Sequence, residues 1–592
     1  MSVQMIFVLI VIVAMVSALL FEIARPDMIV FSALVVLLLS GILTTEEALR
    51  GFSNPGMLTI ALLFIVVGTV QKHGLIDQMM ISWLNKGKSL KGSLFRIFLP
   101  LPLISAFLNN TPIVVTLTPL LKKWAEERNI APSKVLIPLS YVTILGGTIT
   151  LMGTSTNLVV HGMLIDYGLK GFSLFELAIV GIPITIVGLI YLFTVGNMLL
   201  PENKGFSKQV IEDSRNYIAE MMVEEIFPQI NQTVEQAGLR ELKGVYLIEI
   251  IRGQTRISSV SSKTVIQAGD RLIFTGLIST ITELQKRKGL KLKTGTNLQL
   301  GDLKNGNTQL AEAVVSHEST LLSKTIKQAQ FRSRFDAGVM AVHRNNERIK
   351  SKVGDIILRP GDTLLLLAGA DFVEKYQQSN DFYVVSSMKT PKSLQESRLV
   401  GWFSLLVLVT AIGCVITGWL TMFKAMALAV LLLLVTKSIS MEDAKNDVQF
   451  NVLLLIASAF GVGAAMTKTG LAQWMADGLL AVGQPFGLLA ILILIYLLTS
   501  VFTELITNSA AAVLMIPIGI EMASYLQLDP MGFAVIITIA ASASFITPIG
   551  YQTNLIVYGP GGYKFMDYVK VGTPLSMLVM TVTITIVYYY WF

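Results

Sequence analysis

Several stretches of this chain stay apolar over the length that is needed to cross a lipid bilayer. A transmembrane α-helix takes about 20 mostly apolar residues, and a helix satisfies its own backbone hydrogen bonds inside hydrocarbon. Only 14% of the 592 residues are charged, whereas soluble proteins carry about 25%. We therefore expect a polytopic α-helical membrane protein. The apolar stretches are 1–21, 28–43, 57–70, 176–200, 399–417 and 574–592.

Hydropathy divides the chain into two membrane blocks, 1–200 and 398–592, with a polar block at about 201–397 between them. The two membrane blocks repeat each other in the same order and at near-constant spacing. Internal repeats of this kind are typical of secondary transporters. The clearest matches pair SAFLNNTPIVVTLTPL (105–120) with TELITNSAAAVLMIPI (503–518), and GTSTNLVV (153–160) with GYQTNLIV (550–557).

Each membrane block contains five predicted spans and one apolar segment that polar residues interrupt. In the first block this segment is 92–122, and the residues LNNTP interrupt it at 108–112. We predict a re-entrant hairpin here, because such backbone is tolerated at membrane depth only where protein or water surrounds it. Five crossings is an odd number, so the second block is expected to be inverted relative to the first.

The distribution of basic residues predicts the orientation in the membrane. If the polar block is cytoplasmic, most lysines and arginines of the connecting loops lie inside, and only Arg50, Lys170, Lys424 and Lys468 remain outside. This asymmetry follows the positive-inside rule. We expect a multi-pass protein of the plasma or inner membrane, surrounded by lipid, with both termini outside.

Polar residues within the membrane blocks gather at the hairpin tip and in the middle of one broken span of each block. An unbonded polar group in hydrocarbon costs roughly 1–3 kcal/mol, so four clusters repeated in order predict a binding site. An unwound helix exposes carbonyl groups that can ligate Na⁺ and amides that attract an anion. The clusters are Ser105 with 109–111, 146–157, Thr503 with 507–509, and 542–554.

None of the four clusters contains lysine or arginine. Hydroxyl and amide donors, helix ends and co-bound cations would then neutralise a bound anion, which favours sodium coupling over uniport. Glu504 is the one acidic residue in a hairpin arm; it could carry a proton, support a cation or lie near the wet surface. The chain contains no HExxH, CxxC, GxGxxG or P-loop motif and no nucleophile with an apparent base, so we do not expect an enzyme.

These motifs resemble those of the divalent anion/sodium symporter family, whose members transport dicarboxylates, citrate and sulfate. That family carries a Ser-Asn-Thr motif at the tip of each of two re-entrant hairpins, followed by a broken helix with a Gly-x-x-x-Asn phrase. The resemblance covers both membrane blocks. It implies an inverted-repeat fold, usually a homodimer, in which a transport domain moves elevator-like against a scaffold. It also implies that Na⁺ drives uptake and that no organic cofactor takes part.

Carried over by position, the resemblance implies two sodium sites and one shared anion site. Sodium site 1 would consist of Ser105, Asn109, Asn110 and Gly153, and sodium site 2 of Thr503, Thr507, Asn508 and Thr547. The implied anion ligands are Asn109, Asn110, Thr111, Thr156, Asn157, Thr507, Asn508, Ser509, Thr553 and Asn554.

Departures from the family pattern bear on the identity of the anion. The hairpin tips read Asn-Asn-Thr and Thr-Asn-Ser, and 155–156 and 552–553 lack the paired prolines that dicarboxylate members often have. The phrase GTSTNLVV resembles the sulfate-type members that carry cytoplasmic regulatory domains. Many hydroxyl and amide donors also suit a tetrahedral dianion. Sulfate is therefore the favoured substrate, and a C4-dicarboxylate or citrate is the alternative.

The polar block contains a tandem repeat of its own. Its repeated units alternate apolar strands with Gly-Asp turns, which predicts two small α/β modules. They resemble the TrkA-C (RCK-C) lobe of potassium-channel regulators, at about 212–288 and 308–378. The matches pair VYLIEIIRGQTRI (245–257) with GVMAVHRNNERI (338–349), and IQAGDRLIFTG (266–276) with ILRPGDTLLLLAG (357–369).

Lobes of this kind dimerise, and some of them bind small regulatory ligands such as cyclic dinucleotides. Arg252, His343 and Arg344 follow or end predicted strands and are candidates for an anionic regulator, with solvated surface as the alternative. The missing GxGxxG motif argues against sensing of NAD or ATP by a Rossmann lobe. Two other functional classes remain open, a regulator-gated ion channel and a sensor that has lost transport. The repeat with its re-entrant hairpins favours a carrier.

Overall fold

The computed structural model confirms a helical membrane protein with two inserted sheets. In the described part of the chain, eight helices are long and apolar enough to cross a membrane. The described residues are 2–21, 23–72, 90–203, 218–239, 245–253, 255–257, 260, 263–276, 287–292, 308–316, 319–344, 347–349, 351, 353–369, 371–376, 379–387 and 398–592.

The first membrane block folds into helices that we number α1 to α10. Prolines occupy the first position of α2 (Pro26) and α4 (Pro55), where a missing N–H has no cost. Thr44 and Glu47 form a capping box at the start of α3. The helices are α1 Val3–Leu20, α2 Pro26–Leu39, α3 Thr45–Leu49, α4 Pro55–Lys72, α5 Leu90–Phe98, α6 Leu101–Ser105, α7 Asn110–Glu127, α8 Leu136–Gly147, α9 Ser155–Asp166 and α10 Ala178–Tyr191.

The second membrane block repeats this order of helices. From α11 to α14 and from α17 to α20, each helix number is that of its counterpart plus ten. The counterpart of α15 would fall on residues outside the described part of the first block. The helices are α11 Arg398–Ile416, α12 Met422–Val435, α13 Met441–Asp447, α14 Phe450–Lys468, α15 Leu471–Gly483, α16 Leu488–Leu505, α17 Asn508–Leu526, α18 Pro530–Ser542, α19 Gln552–Tyr558 and α20 Phe565–Tyr590.

Helices of the two blocks pack against each other reciprocally. Helix α2 packs on α14 while α12 packs on α4, and α7 packs on α19 while α17 packs on α9. Exchanging the two blocks leaves this set of contacts unchanged, which is the relation that a pseudo-twofold axis produces. The structure therefore contains the predicted duplication as two interlocked halves rather than as two separate bundles.

Both predicted interruptions of the membrane helices are present. Short tips join the hairpin arms, at 106–109 between α6 and α7 and at 506–507 between α16 and α17. Helix α8 ends at Gly147 and α9 begins at Ser155, and the second block has the corresponding gap between Ser542 and Gln552. Each tip lies beside the gap of its own block, since Ala106 contacts Thr150 in the first block and Glu504, just before the second tip, contacts Ile546 and Thr547. The tips therefore lie at the depth of the helix breaks.

The polar block folds into two five-stranded antiparallel sheets with equivalent strand orders. The orders are β3-β2-β4-β1-β5 and β8-β7-β9-β6-β10, so each strand number in the second sheet is that of its counterpart plus five. Both sheets extend past the predicted ends at 288 and 378, because an added edge strand completes each. The strands are β1 Ile218–Val223, β2 Val245–Arg252, β3 Thr255–Ile257, β4 Arg271–Gly276, β5 Leu290–Leu292, β6 Thr308–Val315, β7 Ala337–Arg344, β8 Glu347–Arg348, β9 Thr363–Gly369 and β10 Phe382–Ser387.

Candidate functional site

A cluster of three oxygen atoms lies at the first hairpin tip. Ser105 Oγ is 2.6 Å from Asn110 Oδ1 and 2.7 Å from the carbonyl oxygen of Thr143. The amide and carbonyl oxygens are acceptors only, and the serine hydroxyl has a single proton. One of the two close O···O contacts therefore lacks a proton. Ser105 and Asn110 are both buried, so this oxygen-rich point lies within the protein.

The second hairpin tip repeats this arrangement. Thr503 Oγ1 lies 2.8 Å from Asn508 Oδ1 and 2.5 Å from the carbonyl oxygen of Ala541. Again one hydroxyl proton serves two acceptors. The structure thus brings together the predicted pairs Ser105 with Asn110 and Thr503 with Asn508. In each case the third oxygen comes from the helix that precedes the break, at a residue that the sequence analysis did not single out.

Each of the two repeated phrases, GTSTNLVV (153–160) and GYQTNLIV (550–557), contains an asparagine that stabilises the helix break of its own block. The side-chain amide of Asn157 donates to the carbonyls of Gly147 and Thr150, at 3.0 and 2.8 Å. Asn554 donates in the same way to the carbonyls of Ser544 and Thr547, at 3.0 and 3.2 Å. Both protons of each amide are engaged within its own block. Their geometry is that of positioning residues, and their predicted role as anion ligands stays a prediction.

One hairpin tip reaches across to the broken helix of the other block. The side-chain amide of Asn110 donates to Tyr551 Oη at 2.8 Å, and Thr111 Oγ1 donates to Gln552 Oε1 at 3.0 Å. Tyr551 Oη also lies 3.3 Å from Thr154 Oγ1. Tyr551 and Gln552 were not among the predicted site residues. The signal was present in the sequence, because a phenol stands in the second phrase where the first has Thr154.

Ser140 is a second site residue that the sequence analysis missed. Its hydroxyl lies 2.9 Å from Thr553 Oγ1 and 2.8 Å from Asn554 Oδ1. A residue of the first block therefore provides the hydrogen-bond partner for these two polar atoms of the second phrase. The reciprocal contact is absent among the described residues. Thr538 takes the place of Ser140 there and donates to the carbonyl of Ala534 in its own helix. Ser140 lies upstream of the polar cluster and therefore resembled an isolated helix-packing residue.

This asymmetry leaves polar atoms of the first phrase unsatisfied. Thr156 Oγ1 and Asn157 Oδ1 are buried and have no hydrogen-bond partner among the described residues. Their counterparts in the second phrase both contact Ser140. A buried polar atom without a partner costs free energy, so a polar ligand or a cation at this point would stabilise the structure. The two halves of the site therefore differ chemically although their backbones repeat.

The other predicted residues lie around the same tips and breaks. Asn109 precedes α7 and is half-buried, and Thr507 caps α17 by accepting from the amide of Ala510 at 3.4 Å. Ser509 is buried in the first turn of α17. Gly153 lies so close to the carbonyl of Gly147 that an added Cβ would overlap it. Glycine is therefore required where the first break folds back on itself.

Glu504 binds the second break directly. Its carboxylate accepts hydrogen bonds from the backbone amides of Ile546 and Thr547, both at 2.9 Å, and from Thr547 Oγ1 at 2.7 Å. At the matching place in the first block, Ala106 offers only its carbonyl oxygen, which accepts from Thr150. The second break is therefore anchored by a carboxyl group that the first break lacks.

In the two sheets, the predicted regulatory arginines bind internal aspartates. Arg252 forms a two-pronged ion pair with Asp270 at 2.8 and 2.9 Å, and Arg344 pairs with Asp362 at 2.8 and 2.7 Å. Each guanidinium also donates to a nearby backbone carbonyl. Burial raises the pKa of Asp362, and the pair with Arg344 opposes that rise. His343 lies in β7 beside Arg344. Binding of a regulatory ligand by these three residues stays a prediction.

Comparisons with known proteins agree with this architecture. A family model described as citrate transporter matches residues 7–538. The "Putative sulfur deprivation response regulator" of Chlamydomonas reinhardtii is 34% identical over 95% of this chain and 97% of its own length. An uncharacterized transporter of Synechocystis sp. is 31% identical over 93% of this chain and 91% of its own length. Sodium/sulfate cotransporter 1 of Chlamydomonas reinhardtii is 24% identical over 91% of this chain and 84% of its own length.

Two findings identify the family, namely the family model that matches most of the chain and relatives above 30% identity along nearly its whole length. The repeated hairpins and broken helices agree with the resemblance that the sequence motifs indicated. The family model, the relative from Synechocystis and the cotransporter of Chlamydomonas are described as transporters, not as enzymes. The chain therefore belongs to the citrate transporter family, within the divalent anion/sodium symporters, and is a multi-pass membrane transporter of anions.

Proposed function

We propose that this transporter is a symporter that couples the inward movement of Na⁺ to uptake of a divalent anion, with sulfate as the favoured substrate. The observation that carries sodium coupling is the pair of oxygen clusters, in which three oxygens share one hydroxyl proton. Na⁺ is bound in such transporters by carbonyl oxygens at discontinuous helices. A cation among these oxygens would satisfy the contact that the single proton leaves unsatisfied.

The position of Asn110 offers a physical link between cation and anion binding. Its Oδ1 atom belongs to the first oxygen cluster, while its amide nitrogen points to Tyr551 of the other block. A cation held by Oδ1 fixes the plane of the amide and therefore directs its N–H donors toward the shared volume between the blocks. Ordering these donors before the anion arrives lowers the entropic cost of anion binding.

Two considerations support sulfate. Hydroxyl and amide groups from both blocks meet near the tips and breaks, namely Thr111, Thr154, Tyr551 and Gln552, and such donors suit a compact tetrahedral dianion. Relatives that align over most of this chain bear the names of sodium/sulfate cotransporters. A dicarboxylate or citrate is the alternative, in keeping with the description of the matching family model.

We further propose an elevator-type movement in a homodimer, with the polar block in the cytoplasm. The positive-inside distribution of lysine and arginine supports this orientation. Two ion pairs support the grouping of the loops on the two sides, because each joins residues predicted on the same side. Glu47 and Lys468 pair at 2.7 Å on the predicted outer side. Lys72 and Asp443 pair at 2.9 Å on the predicted inner side.

Uptake into proteoliposomes tests this function. Labelled sulfate, succinate and citrate are supplied with an inward Na⁺ gradient, with equal Na⁺ on both sides, and with K⁺ in place of Na⁺. We expect sulfate uptake that depends on the Na⁺ gradient. Uptake of succinate or citrate without sulfate would refute the substrate assignment, and uptake that ignores Na⁺ would refute the coupling.

A sensor without transport is the second candidate, and the name of one relative favours it. That relative is called a sulfur deprivation response regulator and aligns with 95% of this chain. A sensor would bind sulfate in detergent, measurable by calorimetry, and would move none into proteoliposomes. Sulfate binding together with Na⁺-driven uptake decides for the symporter.

A further inference from the structure

The second sheet of the polar block contacts the membrane helices through a buried ion pair. Lys122 lies on α7, the second arm of the first hairpin, and its amine pairs with the carboxylate of Glu312 on β6. Both side chains are almost fully buried, with exposed fractions of 8% and 7%. Glu312 Oε1 has no hydrogen-bond partner among the described residues. Lys122 is therefore the cation that compensates this carboxylate.

Apolar residues of the same sheet extend the contact. Val314 on β6 and Tyr383 on β10 belong to the hydrophobic core that the membrane helices form, not to the core of their own sheet. Strand β10 packs along α7. Residues alternate between the two faces of a strand, so Glu312 and Val314 share one face. That face of β6 covers α7, while Ala311, Ala313 and Val315 belong to the core within the sheet.

A second contact joins this sheet to α19, the short helix that follows the break in the other block. An added Cβ at Gly361 would come within 2.5 Å of Leu555 Cδ1. An added Cβ at Gly559, just after α19, would overlap the hydroxyl of Thr363 and lie 3.2 Å from its Cβ. The two glycines allow the surfaces to approach so closely. Close packing of this kind leaves little room for one surface to slide over the other.

The two helices that this sheet contacts also carry the candidate site. Helix α7 begins with Asn110 and Thr111, and α19 begins with Gln552. The two helices contact each other through the bond between Thr111 and Gln552 at 3.0 Å. The sheet therefore joins two helices, one from each block, whose first turns meet at the site.

We propose that the second sheet, residues 308–387, is a fixed part of the transport domain, the unit that would carry the hairpins and broken helices, and that it travels with α7 and α19 during transport. The interaction surface consists of Lys122 on α7 and of Leu555 and Gly559 on and after α19. Its partner is the face of the second sheet that carries Glu312, Val314 and Thr363. The proposal rests on the proposed transport function. It predicts that a regulator of transport acts by restraining this sheet rather than by releasing it from the helices.

A cysteine pair across the second contact tests the proposal. Cys414 is the single native cysteine, so Cys414→Ser provides a background without other thiols, into which Gly559→Cys and Thr363→Cys are introduced. The Cβ separation of 3.2 Å is near the roughly 3.5–4.5 Å of natural disulfides. We expect oxidation to protect both thiols from a maleimide label, with and without sulfate and Na⁺. We also expect Na⁺-driven sulfate uptake to persist in the oxidised protein.

Two outcomes would overturn the proposal. Loss of uptake on oxidation that a reductant restores would mean that the sheet has to leave α19 during transport. Failure of the thiols to react, in a protein that still transports, would mean that the contact is not made. The single-cysteine variants are the controls for oxidation itself. Labelling of the thiols does not depend on transport. Failure of the proposed symport function would therefore appear separately, as an absence of Na⁺-driven sulfate uptake in the Cys414→Ser background.

A charge reversal provides a second test that does not depend on a cysteine at a crowded glycine. Lys122→Glu and Glu312→Lys each place two like charges together in the buried contact, and each is expected to reduce uptake and to increase proteolysis of the second sheet in the full-length protein. The double variant Lys122→Glu/Glu312→Lys restores the pair and is expected to restore both. Additive losses in the double variant would contradict the proposal.

Discussion

Asn110 of the first hairpin tip donates a hydrogen bond of 2.8 Å to the phenol oxygen of Tyr551 in the second helix break. The other polar atom of the Asn110 side chain, Oδ1, lies 2.6 Å from Ser105 Oγ in the oxygen cluster of its own block. One amide group therefore contacts both the candidate cation cluster and the opposite half of the molecule. Substitutions around this amide are expected to change cation and anion binding together.

Tyr551→Phe removes the acceptor for Asn110 and keeps the ring. We expect a loss of about 1 kcal/mol, or roughly fivefold in apparent sulfate affinity, because one neutral hydrogen bond disappears at a buried site. The KM for sulfate uptake at saturating Na⁺ measures this. Tyr525→Phe, at an exposed position, is the control. A KM equal to that of the unmodified protein would show that this bond does not contribute to anion binding.

Asn110→Ala and Asn508→Ala each remove one oxygen from a candidate cation cluster. We expect each substitution to weaken Na⁺ binding by about 1–3 kcal/mol, because the bound cation loses one of its oxygen ligands. The Na⁺ concentration for half-maximal uptake should rise and anion affinity should fall, while expression stays near normal. Asn110→Ala should reduce anion affinity more, because Asn110 also reaches Tyr551.

The control for these two variants is Thr585→Ala on the exposed face of α20. Titration of uptake against Na⁺ at fixed sulfate separates cation from anion effects. Unchanged Na⁺ dependence in both asparagine variants would refute the assignment of the two cation sites.

Glu504→Gln tests the carboxylate at the second break. The new NH₂ group would face a backbone N–H of Ile546 or Thr547, where the carboxylate now accepts two hydrogen bonds. Loss of a hydrogen bond to a charged group costs about 1.5–3 kcal/mol. Because Thr547 belongs to the second candidate cation site, we expect weaker Na⁺ activation and a nearly normal KM for sulfate at high Na⁺.

Glu442→Gln, at an exposed position of α13, is the matched control for this substitution. Recovery of uptake at high Na⁺ is the expected sign of a cation-site effect. If raising Na⁺ restored nothing while the melting temperature fell, Glu504 would only anchor the backbone of the break.

Arg344→Ala removes the ion-pair partner of the buried Asp362, which keeps the hydrogen bond from the backbone amide of Arg359. Removing one member of a buried pair typically costs about 3–5 kcal/mol, so we expect faster hydrogen exchange across the second sheet in the full-length protein. Burial already raises the pKa of Asp362 and Arg344 opposes the rise, so the variant should have a still higher pKa. The folded state then binds more protons than the unfolded state, and the stability of the sheet should decrease as pH rises.

Lys327→Ala, at an exposed position of the same sheet, is the control for loss of a positive charge. Exchange rates are compared between the variants at several pH values after correction for the intrinsic rate. Equal protection in Arg344→Ala and Lys327→Ala would show that the buried pair does not hold the sheet together.

The repeated architecture could be predicted because it depends on local and periodic features of the chain. Apolar runs of bilayer length require helices, and the polar phrases mark where those helices break. The pairs Ser105 with Asn110 and Thr503 with Asn508 are each five positions apart, so a tight hairpin tip alone brings them together. The tandem sheets followed in the same way from repeated strands and Gly-Asp turns.

Contacts between distant parts of the chain depended on the tertiary structure. Tyr551 and Ser140 became site residues only because the two halves pack reciprocally, and the repeat by itself does not say which tip faces which break. The pairing of Lys122 with Glu312, 190 positions apart, followed from the docking of a sheet whose own sequence carries no signal for its partner. Apolar periodicity determines which face of an element is buried. Which surface covers that face is decided by the complementary shape and charge of residues far away in the chain.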